Sequence, residues 1–269
     1  MKKILLIGCG HMGNALLTSW IKSNKYTVTV IDPKKNIYLK KKYNNKINII
    51  KSILNLDKII DYDFVVLAIR PFDLDTFLEQ FSKIRFKKHT ILISVIAGKK
   101  INNFRYKLKN INTFFRVMPN MPASIGESMN CIVSNKSASK LKTNEVIKLF
   151  SYSGISLLLE NENQIDMATA VSGSGPGFVF NLIDAMEKAA IKIGFKKHIA
   201  KTLVSQTFRG SINLLLKNNN LSAKDLVNTV ATKGGTTEAG LNIMKKNKMH
   251  KIFSDLTKAS YKKAKEQGK

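Results

Sequence analysis

The chain has 269 residues, 44% hydrophobic and 23% charged, which excludes intrinsic disorder and a small disulfide-stapled scaffold and suffices for two domains with separate cores. Its 45 Lys and Arg against 18 Asp and Glu give a formal charge of +27, a balance that taken alone would point to a polyanionic partner. Nearly all of the excess is dispersed lysine, with arginine at Arg70, Arg85, Arg105, Arg116 and Arg209; the planar fork that reads bases and phosphates is scarce, so no nucleic-acid partner is expected.

Met1-Lys2-Lys3 leads into Ile4-Leu5-Leu6-Ile7, and glycines break this apolar run well short of signal-peptide or membrane length. It is read as a first β-strand, with no membrane span and a cytoplasmic location expected. Gly8-Cys9-Gly10-His11-Met12-Gly13 then fits G-x-G-x-x-G between a strand and a helix. Glycines there permit a tight turn, let the backbone approach a pyrophosphate and let helix pack on strand, while the helix start attracts negative charge. A dinucleotide cofactor is expected, with a merely structural turn as the alternative. His11 is expected to pack beside the cofactor, and Cys9 to be a small loop residue. Leu16, Leu17, Trp20 and Ile21 recur at helical spacing and would lay one face on the sheet. Val28 to Ile31 is the second strand, closed by Asp32, where a carboxylate usually accepts hydrogen bonds from ribose hydroxyls and repels a 2′-phosphate. Lys34 and Lys35 follow and offset that repulsion, so the signal between NADH and NADPH is mixed. The other reading of Asp32 is a turn residue before Pro33.

Ile47 to Ile50, Phe64 to Ile69 and Ile91 to Ile96 continue the alternation of short aliphatic runs with mixed stretches, the pattern of a parallel sheet with helical crossovers. Ala68-Ile69-Arg70-Pro71 and Ile96-Ala97-Gly98 stand at carboxyl ends of strands, which line the ligand crevice in open α/β sheets. Proline and small residues suit a backbone pressed against a nicotinamide ring; each also fits an ordinary strand terminus. Phe114 to Met118, Met129 to Val133 and Ile155 to Leu159 extend or flank the sheet. Cys9 and Cys131, the two cysteines, provide neither a disulfide framework nor a zinc set, so a reducing compartment and no metal are expected. From about Asp166 the rhythm is helical: Val179, Leu182, Ile183, Met186, Ala190 and Ile193 share a face before Gly194. A second helix covers Ile199 to Leu216 and ends at Asn218-Asn219-Asn220, Ser222 with Asp225 resembles a capping box, and a last helix runs from beyond Gly235 into the lysine-rich tail. The expected division is 1–161, a Rossmann-type parallel-sheet domain, and 162–269, all helical. The apolar stripes of the helical half exceed the needs of one small core, so a dimer through these helices is expected.

Three blocks are less generic: Arg116-Val117-Met118-Pro119-Asn120-Met121-Pro122-Ala123, Ser172-Gly173-Ser174-Gly175-Pro176 and Lys233-Gly234-Gly235-Thr236-Thr237-Glu238-Ala239-Gly240. In this order and spacing they resemble the pyrroline-5-carboxylate reductase family. The likeness covers nearly the whole chain, through the glycine fingerprint, Ala68-Ile69-Arg70-Pro71 for the family's Ala-Val-Lys-Pro, Ala97-Gly98, Asp166 and Thr169. It implies a Rossmann domain, a helical dimerisation domain, and a homodimer, in some relatives within a larger ring, with the active site at the interface. The implied reaction is NAD(P)H-dependent reduction of the C=N bond of 1-pyrroline-5-carboxylate to L-proline. The implied cofactor contacts are Ile7, Gly8, Cys9, Gly10, His11, Met12, Gly13, Asp32, Asn55, Ala68, Ile69, Arg70, Pro71, Ile96 and Ala97. The implied substrate contacts are Glu162, Gly234, Gly235, Thr236 and Thr237, with Thr237 as the catalytic hydroxyl. The chain departs from the family pattern at Met121 for threonine, Thr232-Lys233 for Ser-Pro, and Phe178 where tyrosine is common. Asp32 stands where some members use a serine toward the 2′-phosphate, so use of NADH as well as NADPH is expected.

Reducing a cyclic imine requires a hydride donor over the carbon, a proton or donor at the nitrogen, and a grip on the carboxylate; neither a metal nor a covalent nucleophile is needed. A helix start at Gly234-Gly235-Thr236-Thr237 offers N–H groups for a carboxylate and a hydroxyl for the ring nitrogen. A simple N-cap role for Thr236 or Thr237 is compatible with both.

Overall fold

In the computed structural model, which describes residues 1–57, 59–218 and 220–267, the aliphatic runs become strands separated by helices. The first part of the chain comprises β1 (Lys2–Ile7), α1 (His11–Ser23), β2 (Tyr26–Ile31), α2 (Asn36–Tyr43), β3 (Asn48–Ile50), β4 (Ile59–Ile60), β5 (Phe64–Leu67), α3 (Leu74–Phe81), β6 (Arg85–Phe86) and β7 (Ile91–Ser94). After them come α4 (Ile101–Arg105), β8 (Thr113–Met118), β9 (Ser128–Ser134), α5 (Lys140–Ser151), β10 (Gly154–Leu158) and α6 (Glu162–Ala168). The remainder is helical: a π-turn at Thr169–Gly173, α7 (Gly175–Lys192), α8 (Lys197–Lys217), α9 (Ala223–Val230), α10 (Thr236–Lys246) and α11 (Met249–Gln267).

The main sheet has the order β10-β9-β8-β7-β5-β1-β2-β3. All of its pairings are parallel except β8 with β9, which run antiparallel. The chain thus winds outward from β1 in one direction through β2 and β3 and in the other through β5, β7 and β8. That reversal leaves a crevice at the carboxyl ends of β1 and β5, the topological switch point of a doubly wound sheet. β1 is buried on both faces: Ile4 and Leu6 pack with Leu16, Leu17 and Trp20, while Leu5 and Ile7 pack with Leu74, Leu78 and Phe81. The indole of Trp20 is fully buried and donates to the Leu149 carbonyl at 3.0 Å, so α1 and α5 share one packed layer.

Two compact units result, residues 1–174 with 260–269, and residues 175–259. α6 belongs to the first because Ile165 and Asp166 are buried there. In the second unit, Gly194 at φ +115 closes α7, and Ser222 and Asp225 form the expected capping box of α9. Only Ala200 and Val204 are buried among its described residues, while Val179, Phe180, Met186, Ile193, Leu216 and Val230 are exposed. No helix among the described residues is long and apolar enough to cross a membrane.

Two details differ from the sequence reading, and one expectation falls outside the described residues. The parallel β4–β6 pair was not foreseen, since two-residue strands carry no periodicity. The single last helix is two, α10 and α11, because Lys248 adopts a left-handed φ of 53 and breaks the run. Asn219, expected to help close α8, lies outside the described residues.

Candidate active site

The turn from β1 to α1 is built on missing Cβ atoms. Gly8 has φ +86, and a Cβ there would sit 2.6 Å from the Ala68 carbonyl oxygen; a Cβ on Gly13 would overlap the carbonyl of Gly8. Gly10, by contrast, faces open space. It is also the N-cap of α1, with no side chain to satisfy the first-turn N–H groups, so an unshielded positive helix end points outward. Beside it lies a crevice of about 490 Å³ lined by Ile7, Gly8, Gly10, Asp32, Lys34, Lys35, Ser52, Ile53, Ala68, Ile69 and Arg70. An uncapped helix start over glycine for a pyrophosphate, flanked by aliphatic walls for flat rings, fits a dinucleotide.

The other expected cofactor residues are distributed around this crevice. Cys9 is fully buried, and its thiol is pushed up to about 11 by burial and then by the Asp32 charge, which makes it inert. His11 is exposed at the start of α1, and Met12 packs against the core. The Asp32 carboxylate accepts from the Cys9 N–H at 2.8 Å and from the Lys34 N–H at 3.0 Å, and Lys35 Nζ donates to the Cys9 carbonyl at 2.9 Å. Arg70 is exposed; its Nε donates to Asp73 at 2.9 Å and its guanidinium lies 4.2 Å from the Phe72 ring centre. Pro71 opens the short turn that follows. Asn55 lines a different cavity, with Lys3, Thr27 and Asn48 at the amino ends of the strands, while Ser52 and Ile53 just before it reach the crevice. Ile96 is buried and Ala97 half-buried beyond β7, where Ser94 Oγ accepts from the Ile96 N–H at 3.2 Å.

Glu162, expected at the substrate, is engaged within the first unit. Its Oε1 accepts from the Ile101 N–H at 2.9 Å and lies 3.7 Å from Arg116 Nη1. Arg116 is only 2% exposed and donates through Nη2 to the buried Asp166 at 2.9 Å; its Nη1 has no hydrogen-bond partner. Asn120, to which no role was assigned, joins three segments: Oδ1 accepts from the Met129 N–H at 3.0 Å, and Nδ2 donates to the Ser172 carbonyl at 3.0 Å. A lone carboxamide inside Met-Pro-Asn was the available signal. In the π-turn it grips, Ser174 N–H donates to the Thr169 carbonyl at 2.8 Å.

At the start of α10, Gly234 takes φ +75 and its N–H donates to Glu238 Oε2 at 2.7 Å, while the Gly235 N–H donates to the Thr232 carbonyl at 2.9 Å. Both glycine donors are therefore committed to shaping the turn. The next N–H groups, those of Thr236, Thr237 and Glu238, are first-turn donors without intrahelical acceptors. Thr236 is exposed; Thr237 is half-buried and borders an apolar groove of about 530 Å³ with Met186, Phe208, Leu226, Val230 and Leu241.

The family model for pyrroline-5-carboxylate reductase dimerisation matches residues 162–267, and that for NADP oxidoreductase, coenzyme F420-dependent, matches 3–98. Pyrroline-5-carboxylate reductase 2 of Bacillus subtilis (strain 168) is 31% identical over 261 residues, covering 94% of this chain and 90% of the relative. The chain belongs to the pyrroline-5-carboxylate reductase family. Another family member, from Haemophilus influenzae, is 29% identical over 244 residues, 90% of this chain and 89% of that one. Among solved structures, the Plasmodium falciparum pyrroline carboxylate reductase with NADP bound has a TM-score of 0.87 at 27% identity, covering 100% of this chain and 98% of its own. The Coxiella burnetii pyrroline-5-carboxylate reductase has a TM-score of 0.86 at 26% identity, with coverage of 99% and 98%.

Proposed function

We propose that the chain reduces 1-pyrroline-5-carboxylate to L-proline with NAD(P)H, residues 1–161 holding the dinucleotide and residues 162–269 serving dimerisation and the substrate. The observation that carries this reading is the start of α10. There a Gly-Gly turn leaves the N–H groups of Thr236 and Thr237 open next to two hydroxyls, in a chain whose other unit holds a dinucleotide-shaped crevice. When bound, the cofactor supplies the hydride. The open N–H groups of α10 hold the substrate carboxylate, helped by the positive end of the helix, and Gly234 and Gly235 fix the turn that aims them. The Thr237 hydroxyl hydrogen-bonds the ring nitrogen, which keeps its proton as the adjacent carbon gains the hydride, so C=N becomes CH–NH. Gly8, Gly10 and Gly13 seat the pyrophosphate at α1, with the Asp32 turn at the adenosine end and Ala68 to Pro71 on the opposite wall.

Glu162 acts in this scheme through Arg116 and Ile101, fixing the start of α6. A homodimer with its active site at the interface is supported by the dimerisation model over residues 162–267 and by the exposed apolar faces of α7, α8 and α9; a larger ring rests on the family resemblance. The test is NAD(P)H oxidation by the purified protein with pyrroline-5-carboxylate, and identification of proline as product. Cofactor oxidation without proline, or none at all, would remove the reading.

A further inference from the structure

The connection from β7 to α4 carries Ile96 and Ala97, two of the expected cofactor contacts, and both of its ends are fixed. Ser94 Oγ accepts the Ile96 N–H at 3.2 Å, and Glu162 Oε1 accepts the Ile101 N–H at 2.9 Å. Between these ends Ala97 and Gly98 form a turn, with Gly98 at a left-handed φ of +74. Gly98 is buried, yet it lies outside the crevice beside α1. A Cβ on it would instead overlap the carbonyl of Gln267, the last residue of α11. Ser260 to Gln267 pack with the first unit. Ser260 and Tyr261 are half-buried and Ala264 is buried, one face of the helix, while Lys262, Lys263, Lys265 and Glu266 are exposed. The end of a helix carries partial negative charge, and the turn it meets is followed by Lys99 and Lys100. The glycine thus makes room for α11 rather than for a nicotinamide ring.

We propose that the end of α11, through Ala264 and Gln267, is a positioning element that sets the height of the Ala97-Gly98 turn and with it the nicotinamide end of the cofactor, a role that rests on the proposed NAD(P)H reductase activity. Pyrophosphate is seated at the start of α1, so most of the cofactor's affinity does not depend on α11. Hydride transfer does, because it needs the reacting atoms about 3–3.5 Å apart and aligned. Loosening the helix end should therefore slow turnover more than it weakens cofactor binding.

A chain ending at Lys265 loses Gln267 and keeps Ala264. With NADPH and pyrroline-5-carboxylate its kcat should fall about tenfold, while titration with NADP+ should give a Kd within about threefold of that of the full chain. In the ligand-free protein, amide hydrogen exchange from Gly98 to Ile101 should quicken. Gly98→Ala in the full chain should lower kcat to a similar extent. Added to the shortened chain it should cost much less than the product of the two separate losses, because the carbonyl it collides with is gone. Where the shortened chain does not fold, Ala264→Gln, which pushes the same helix end away with a larger side chain, carries the same kinetic and exchange expectations. Unchanged kcat and unchanged exchange in the shortened chain would overturn the proposal. So would losses from Gly98→Ala and the truncation that multiply in full, which is the pattern of backbone strain unrelated to α11, or equal losses of kcat and NADP+ affinity with a lowered melting temperature. A wild-type protein that oxidises no cofactor would overturn the reductase reading and the kinetic role together, while exchange in the ligand-free chain still decides whether α11 holds the turn.

Discussion

Replacing Arg116 by methionine tests whether the buried ion cluster organises the end of the sheet unit. Arg116 is 2% exposed and sits 2.9 Å from one Asp166 oxygen and 3.7 Å from one Glu162 oxygen, so one guanidinium balances two carboxylates. Removing it strands Asp166, itself buried, without a cation, and breaking a buried pair from one side costs about 3–5 kcal/mol. At about 2–4 °C per kcal/mol for a unit of this size, that corresponds to a fall in melting temperature of about 6–20 °C. Replacing both partners with apolar residues removes the stranded charge, so Arg116→Met with Asp166→Leu should recover most of the loss. Trp20 is the single tryptophan and is fully buried in the same unit, so its fluorescence during urea unfolding reports on this unit directly. A loss below about 1 kcal/mol in Arg116→Met, or a double variant less stable than the single, would show that the cluster is dispensable to the fold.

Other expectations are as specific. Thr237→Ala should lower kcat/KM by about one to two orders of magnitude, equivalent to losing a hydrogen bond of about 1–3 kcal/mol, with Thr237→Ser recovering much of it. A normal kcat/KM with a lowered melting temperature would leave Thr237 only a structural role. Sedimentation at nanomolar concentration should find a dimer or larger assembly, and a fully active monomer would refute the apolar-interface argument. With Cys9 raised to about 11, mainly by burial, its thiol stays protonated at pH 9 in the folded protein, and burial raises the Cys131 thiol as well. A thiol reagent should therefore label them slowly before unfolding and completely after it; labelling of the folded protein at the rate of free cysteine would contradict the packing. Because unfolding releases Cys9 to its ordinary value near 9.0, stability should fall as pH rises from about 9 towards about 11.

The strands were legible because burial on both faces writes continuous aliphatic runs, and the glycine loop because its φ angles and close approaches admit little else. The β4–β6 pair and the break at Lys248 were not, since neither has a repeat long enough to read. At the site, residue types were visible but their partners were not. Asp32 looked like a carboxylate at a strand end; that its oxygens meet the backbone of Cys9 and Lys34 depends on how tightly β1 and β2 pair. Glu162, expected at the substrate, likewise gives no sign in the sequence that α6 lays it beside Arg116 and the Ile101 N–H. Asn120 shows the same limit, because its value lies in joining β9 to the π-turn, segments separated in sequence and brought together only by the sheet.

The exposed apolar faces of α7 and α8 also carry an evolutionary consequence. If two copies meet there about a two-fold axis, every substitution on those faces occurs twice in the assembly, and its energetic effect is doubled before selection sees it. A change of about 1 kcal/mol per chain, tolerable on an ordinary surface, becomes about 2 kcal/mol for the pair. These helices should therefore drift more slowly than their exposure in a single chain would lead one to expect, and compensating changes should arise in pairs across the axis.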